Sequence, residues 1–257
     1  MKGAPSLAYV NPAFHATAHV KSGWQEVIAS TYEAGYLAVL HGVVTWGTMF
    51  LFDVGIGGSG SEVAIINNVL GDQGNYCGDY YAFPILIPKG TRVSVRLQQS
   101  RGGANSIWSQ VFIIPIGAMV GGTNLFQESY SYGYNLADTG ATALDPGGTP
   151  YTYGSYAQLV ASSAKLKALS FLLGNPYNTA RDTNCSWYAQ LSIGGAGVEI
   201  PILEWTNYNR SGLVMRPVMT PPFPIQIPSG TRISARCKSQ SGTSPQRLID
   251  AMVIGYA

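Results

Sequence analysis

Gly55, Gly57 and Gly60 follow the strand-like run Phe50-Leu-Phe-Asp-Val54 and spell G-x-G-x-x-G, a pattern that can seat a pyrophosphate at a helix N-terminus. That chemistry needs a helix directly after the glycines. Beyond them the chain runs Glu62-Val-Ala-Ile-Ile66, β-branched and apolar, so the glycines are expected to turn a hairpin instead. His15 and His19 stand four apart, a spacing that suits two metal ligands on a helix, but no Glu follows His15 and no third ligand is near. His41 lies inside an apolar run and reads as a core or interface residue. Cys77, Cys185 and Cys237 are far apart and odd in number, which argues against both a disulfide framework and a zinc site. No G-x-S-x-G and no Lys-bearing phosphate loop occurs. Glycosidase carboxylates lie far apart in a chain and leave no local mark. The expectation is a protein that is not an enzyme, with no catalytic, cofactor-binding or metal residues nominated and no cofactor required.

The elements that hold these residues come from a stretch that occurs twice. Phe83-Pro-Ile-Leu-Ile-Pro-Lys-Gly-Thr-Arg-Val-Ser-Val-Arg96 returns as Phe223-Pro-Ile-Gln-Ile-Pro-Ser-Gly-Thr-Arg-Ile-Ser-Ala-Arg236. Phe, Ile and Ile alternate with Pro, a variable residue and Pro, the period-2 pattern of a strand with one buried face. Pro84 and Pro224 cannot donate to a ladder, which places this strand at an edge or starts it there. Pro-x-Gly then predicts a type I turn with Pro second and Gly fourth. In the next strand, Thr91, Val93 and Val95 face opposite to Arg92, Ser94 and Arg96, as do their repeats at 231 to 236.

Three more landmarks recur in the same order. Gly23-Trp-Gln-Glu-Val-Ile-Ala-Ser30 aligns with Ser155-Tyr-Ala-Gln-Leu-Val-Ala-Ser162, which places Trp24 over Tyr156. The glycine stretch returns as Ser192-Ile-Gly-Gly-Ala-Gly-Val-Glu-Ile200, keeping Gly194, Gly195 and Gly197. The runs Val111 to Ile116 and Ala251 to Tyr256 close each copy. Leu166 to Leu173 could pass for a helix, but its place in the repeat and the bounding Gly174-Asn-Pro read as a strand. The expected fold is all-β: two tandem antiparallel β-sandwich domains, jelly-roll-like, from an internal duplication and preceded by an extended N-terminal arm. The boundaries read as 1–20 for the arm, 21–118 for domain 1, 119–149 for a Gly/Tyr/Thr-rich connector with the first strand of domain 2, and 150–257 for domain 2. Tyr130, Tyr132 and Tyr134 share one face of an extended chain and could stack on a sugar, form an interface belt or pack over a domain junction.

Only 11% of the 257 residues are charged, against about 25% in a typical soluble domain. So few charges predict a surface covered by neighbouring subunits, hence a homo-oligomer. The net charge of +2 without a basic run leaves nothing to track a phosphate backbone, so no nucleic-acid partner is expected. No apolar run approaches a membrane span, and Met1 to Tyr9 lack the apolar core of a signal peptide, so no membrane partner is expected and synthesis is expected in a reducing cytoplasm. Asn184-Cys-Ser and Asn209-Arg-Ser match the glycosylation pattern by chance. Residues 1 to about 20 lack apolar periodicity, so order there should come from docking on the chain's own sandwich or on a neighbour.

The pattern G-[ST]-[WY]-x-x-[VL]-[VI]-A-S, then G-G-x-G, then F-P-I-x-I-P-x-G-T-R-[VI]-S resembles tailed-bacteriophage virion proteins with tandem jelly-roll-like modules, over residues 23–116 and 155–256. The resemblance implies a structural part of a phage particle, made in the host cytoplasm and located in the virion: a capsid decoration, cement or head-fibre subunit bound to other virion proteins. The alternative it leaves is a tail-associated protein that binds a host-surface glycan or receptor. Exposed Trp and Tyr clustered at one loop tip would favour the second, and an arm crossing to another chain the first.

Overall fold

The computed structural model describes residues 6–42, 49–72, 79–116, 125–174, 185–209, 217–244 and 247–257. The readings of Cys77 and of the His41 side chain lie outside what it describes. Among the described residues there is no α-helix, and the strands are joined in antiparallel sheets. The chain divides into two compact units, residues 1–129 together with Tyr256, and residues 130–255 together with Ala257.

In the first unit one sheet has the order β1 (Ser6–Val10), β8 (Trp108–Pro115), β3 (Gly35–Gly42), β6 (Asp79–Ile87). The other runs β2 (Gln25–Ile28), β7 (Val93–Gln99), β4 (Met49–Ile56), β5 (Val63–Asp72). Alternation puts Val93, Val95 and Leu97 of β7 in the core and Ser94, Arg96 and Gln98 on the opposite face of the sheet, where Ser94 and Gln98 are also buried. Phe52 of β4 meets Tyr81 and Phe83 of β6 with ring centroids 5.2 and 6.4 Å away, so aromatic edges join the two sheets. Each such side chain, fully buried, contributes about 1.5–3 kcal/mol.

The second unit repeats this plan. β12 (Ala157–Val160), β18 (Ile233–Ser239), β14 (Cys185–Ile193) and β15 (Ile200–Asn209) form one sheet in that order. The other holds β10 (Tyr134–Asn135), β11 (Gly140–Leu144), β19 (Ile249–Tyr256), β13 (Leu166–Gly174) and β16 (Val218–Met219), with β17 (Phe223–Ile227) also on β13 and β9 (Ser129–Tyr132) on β19. Trp187, Ala189 and Leu191 of β14 pack with Leu169, Phe171 and Leu173 of β13 in one core. Residues 166–174 are therefore a strand, and the two long repeats hold equal places, β6–β7 and β17–β18. Pro221 and Pro222 interrupt the second edge strand into β16 and β17, where β6 runs on.

Pro84 and Pro224 do lie on edge strands, each beside a shift of register against β3 or β13. The turn after them differs from the type I expectation. Thr231 donates its N–H to the carbonyl of Pro228 at 3.4 Å, so proline is first and glycine third, with φ of +77° at Gly90 and +84° at Gly230. Glycine is there because the third position is left-handed. The turn carries the chain from one sheet to the other.

The extended N-terminal segment docks on its own sandwich. β1 pairs with β8 from Ser6 opposite Ile113 to Val10 opposite Ser109. Beyond it, Phe14 donates its N–H to the Asn105 carbonyl at 2.8 Å and buries its ring 5.9 Å from that of Phe50. The second unit has the same device in β11, which pairs with β19 as β1 pairs with β8. Further along, His19 N–H donates to Gln99 O at 2.8 Å and Tyr151 N–H to Ser239 O at 2.7 Å, with φ of 60° and 58°. The repeat thus reaches back through the segment read as an arm.

Candidate functional site

Two sites recur in the duplicated plan. The first is the glycine hairpin. Gly57 and Gly194 have φ of +119° and +111°, and Gly60 and Gly197 of +81° and +82°, values that only glycine adopts without strain. Arg92 reaches over its hairpin, donating to Glu62 at 2.7 Å, to Glu26 at 2.7 Å and to the Gly57 carbonyl at 3.2 Å. Arg232 repeats this with Glu199 at 2.9 Å, Gln158 at 3.1 Å and the Gly194 carbonyl at 3.4 Å. Thr-Arg-[Val/Ile]-Ser and Gly-Gly-x-Gly are therefore one clamp. An open depression of about 660 Å³ lies beside the first hairpin, lined by Ile56, Gly57, Gly58, Val63, Gly90, Thr91 and Arg92. Its one cation is already matched by two carboxylates, which is the wrong electrostatics for a phosphate. Gly55 has a separate cause: a Cβ there would sit 2.8 Å from the Trp24 ring. In the second unit the equivalent positions hold Ser192 and the smaller Tyr156.

The second site is the outward face of the sheet that carries these hairpins. In the first unit it is closed by ion pairs. Asp53 is 0% exposed, pairs with both Lys21 and Arg96 Nε, the latter at 2.6 Å, and accepts the Asn68 N–H at 2.6 Å. Arg96 lies 4.4 Å over the Trp24 ring. Burial pushes the Lys21 ammonium below its ordinary value against the raising influence of Asp53.

In the second unit the same positions carry different groups. Gln190 stands where Asp53 does and accepts from Arg236 Nε at 2.9 Å. Tyr153 replaces Lys21 and donates its hydroxyl to Glu204, which also accepts from Gln190 Nε2 at 3.1 Å. Arg236 is held between the rings of Tyr153 and Tyr156 at 4.5 and 4.4 Å, and Lys238 Nζ between Tyr153 and Tyr188 at 4.7 and 5.0 Å. Among the described residues, the Arg236 η nitrogens, the Lys238 ammonium and the Tyr156 and Tyr188 hydroxyls have no hydrogen-bond partner. Burial and the Glu204 hydrogen bond push the Tyr153 hydroxyl far up, and the Tyr153 hydrogen bond holds Glu204 low. On β15 the same face continues through Thr206 to Tyr208, which is 54% exposed.

Of the tyrosines singled out from sequence, Tyr130 and Tyr132 stack on each other 6.4 Å apart and pack against the core of the second unit, with the Tyr132 oxygen accepting the Ala164 N–H at 2.8 Å. They are a packing pair, and the open aromatic face lies at Tyr153, Tyr156, Tyr188 and Tyr208. Tyr188 and Lys238 left a trace in the sequence, since they alternate with buried Trp187, Ala189 and Cys237. His15 and His19 lie in a non-helical bend, and His15 Nδ1 accepts the Thr17 N–H at 3.0 Å. Among the described residues no cluster of three His, Cys, Asp or Glu could hold a metal. Cys185 and Cys237 are free and buried.

No protein-family model matches the sequence. No curated protein matches it either. Among solved structures, a peptide-N(4)-(N-acetyl-β-D-glucosaminyl) asparagine amidase is similar over 99% of this chain and 96% of its own, at 11% identity and a TM-score of 0.42. Recombinant N-glycanase F is similar over 98% and 96%, at 10% identity and 0.44. A glycosylasparaginase from Flavobacterium meningosepticum covers 97% and 96%, at 12% identity and 0.38. Because these neighbours are amidases, the expectation of a protein that is not an enzyme does not stand. TM-scores at this level assign neither activity nor substrate to the present chain.

Proposed function

We propose that this chain is a tail-associated or fibre-type bacteriophage virion protein that holds a host-surface glycan on the outward face of its second unit. The observation that carries the reading is the face itself. Among the described residues the Tyr156 and Tyr188 hydroxyls, the Arg236 η nitrogens and the Lys238 ammonium have no hydrogen-bond partner, on a sheet face that runs on to the exposed Tyr208, so polar tips and an apolar surface meet as sugar recognition requires. The virion setting rests on the resemblance of the repeated motifs and on the low charge.

Binding of the intact chain to an array of bacterial surface polysaccharides tests this. At least one polysaccharide should bind, and Tyr208→Ala and Tyr188→Ala should each weaken it about tenfold, an alanine-scan loss of more than 1 kcal/mol. Absence of binding, or binding untouched by either substitution, would refute the reading.

A second reading, a capsid decoration or cement subunit, is favoured by one observation. Val63 and Ile200 occupy the same place after each hairpin and are 66% and 63% exposed, an apolar position kept in both copies and suited to contact with neighbouring subunits. Electron microscopy of particles with labelled protein separates the readings, because decoration places it on the capsid surface and receptor binding on a fibre or tail.

A further inference from the structure

We propose that the glycan held by the second unit is acidic, and that a sugar carboxylate docks on the η nitrogens of Arg236 with Lys238 beside it. This rests on the saccharide reading and adds the charge of the ligand. The reason lies in the comparison of the two copies. Arg96 and Arg236 occupy one position, each laid on an aromatic ring and each using Nε toward the next strand. In the first unit the acceptor is the carboxylate of Asp53, so the guanidinium is neutralised within the protein. In the second unit it is the amide of Gln190, which fixes the orientation of Arg236 and leaves its charge unmatched.

Among the described residues Glu204, the acid paired across from Gln190 on that face, is occupied by the Tyr153 hydroxyl and the Gln190 amide; Lys238 helps to hold it low, but no ion pair joins the two among the described residues. Tyr153 and Tyr156 cover the faces of the guanidinium and leave its edge open. A planar carboxylate fits that edge with two parallel hydrogen bonds, which a single-point ammonium could not offer alone.

The test is titration calorimetry of the full chain with trigalacturonate and with its fully methyl-esterified form, which share rings and linkage and differ in charge. The free acid should bind about tenfold more tightly than the ester, the advantage of one charge-assisted contact, and the advantage should shrink as salt is added. Gln190→Asp rebuilds the pairing of the first unit. It should erase the preference for the free acid, with some loss of melting temperature because the new carboxylate cannot donate to Glu204 as the Gln190 amide does; Arg236→Gln should also erase the preference, while weakening the binding of both forms. Equal affinity for acid and ester would overturn the inference while leaving saccharide binding intact. A preference for the acid that survives Gln190→Asp would overturn the assignment to Arg236. Failure of both forms to bind at about 1 mM, an affinity weaker than about 4 kcal/mol, would overturn this inference, and with an empty polysaccharide array the reading beneath it as well.

Discussion

Asp53 and Gln190 hold the same guanidinium position from the same place on the sheet, one by a carboxylate and the other by an amide. The difference separates an ion-paired, closed face from one with cations to spare.

Removing the acid from the closed face should be costly. Asp53→Ala leaves Lys21 and Arg96 without their shared partner, and breaking a buried pair costs about 3–5 kcal/mol. Gln190→Ala removes a neutral acceptor from a more open face and should cost about 1 kcal/mol. Urea unfolding of the two variants should show that order, and an equal loss would mean that Asp53 is not the anchor.

The hairpin clamp predicts strain at glycine. Gly194→Ala forces a side chain onto φ of +111° with its Cβ 3.0 Å from the Val198 carbonyl, a cost of about 1–3 kcal/mol. Gly195→Ala, with ordinary van der Waals contact at 3.4 Å to Val198 and no positive φ, should be nearly neutral. Thermal melts of the pair read this directly.

Gly55→Ser should destabilise the first unit by about 1–3 kcal/mol through overpacking against Trp24. Adding Trp24→Tyr recreates the Tyr156–Ser192 pair and should restore part of the loss. A double-mutant cycle with no coupling would contradict the assigned cause.

Stability of the second unit should depend on pH at the acid end. Hydrogen bonds from Arg247 hold Asp145 low, and the Tyr153 hydroxyl holds Glu204 low. A carboxyl depressed in the folded state adds stability that is fully present above its unfolded value of about 4 and is lost as pH falls through the folded one. Asp145→Asn should flatten that acid limb in urea titrations from about pH 5 to pH 2, while lowering stability near neutrality by about 0.5 kcal/mol, as exposed pairs do.

Deleting residues 1–10 removes β1 and uncovers the edge of β8 from Ser109 to Ile113. Faster amide exchange at the β8 residues bonded to β1 and a lower melting temperature of the first unit are expected. Unchanged exchange in β8 would show that β1 does not protect that edge.

The sequence by itself determined the β class, the duplication, the turning glycines and the edge prolines. These are consequences of local chemistry: strand alternation, proline's missing donor and glycine's freedom at positive φ act within a few residues. The tertiary structure decided the rest. Residues 6–10 of the segment read as an arm are a sheet strand because β8 offers them an edge at Ser109–Ile113, far along the chain, and Gly55 is a seat for Trp24, a relation no spacing rule encodes. The open face of the second unit joins Tyr153 to Glu204 across 51 positions and Arg236 to Gln190 across 46. Residues that far apart meet only when strands pair, so register sets Arg96 opposite Asp53 and Arg236 opposite Gln190, and only in that register does an amide in place of a carboxylate leave a cation free.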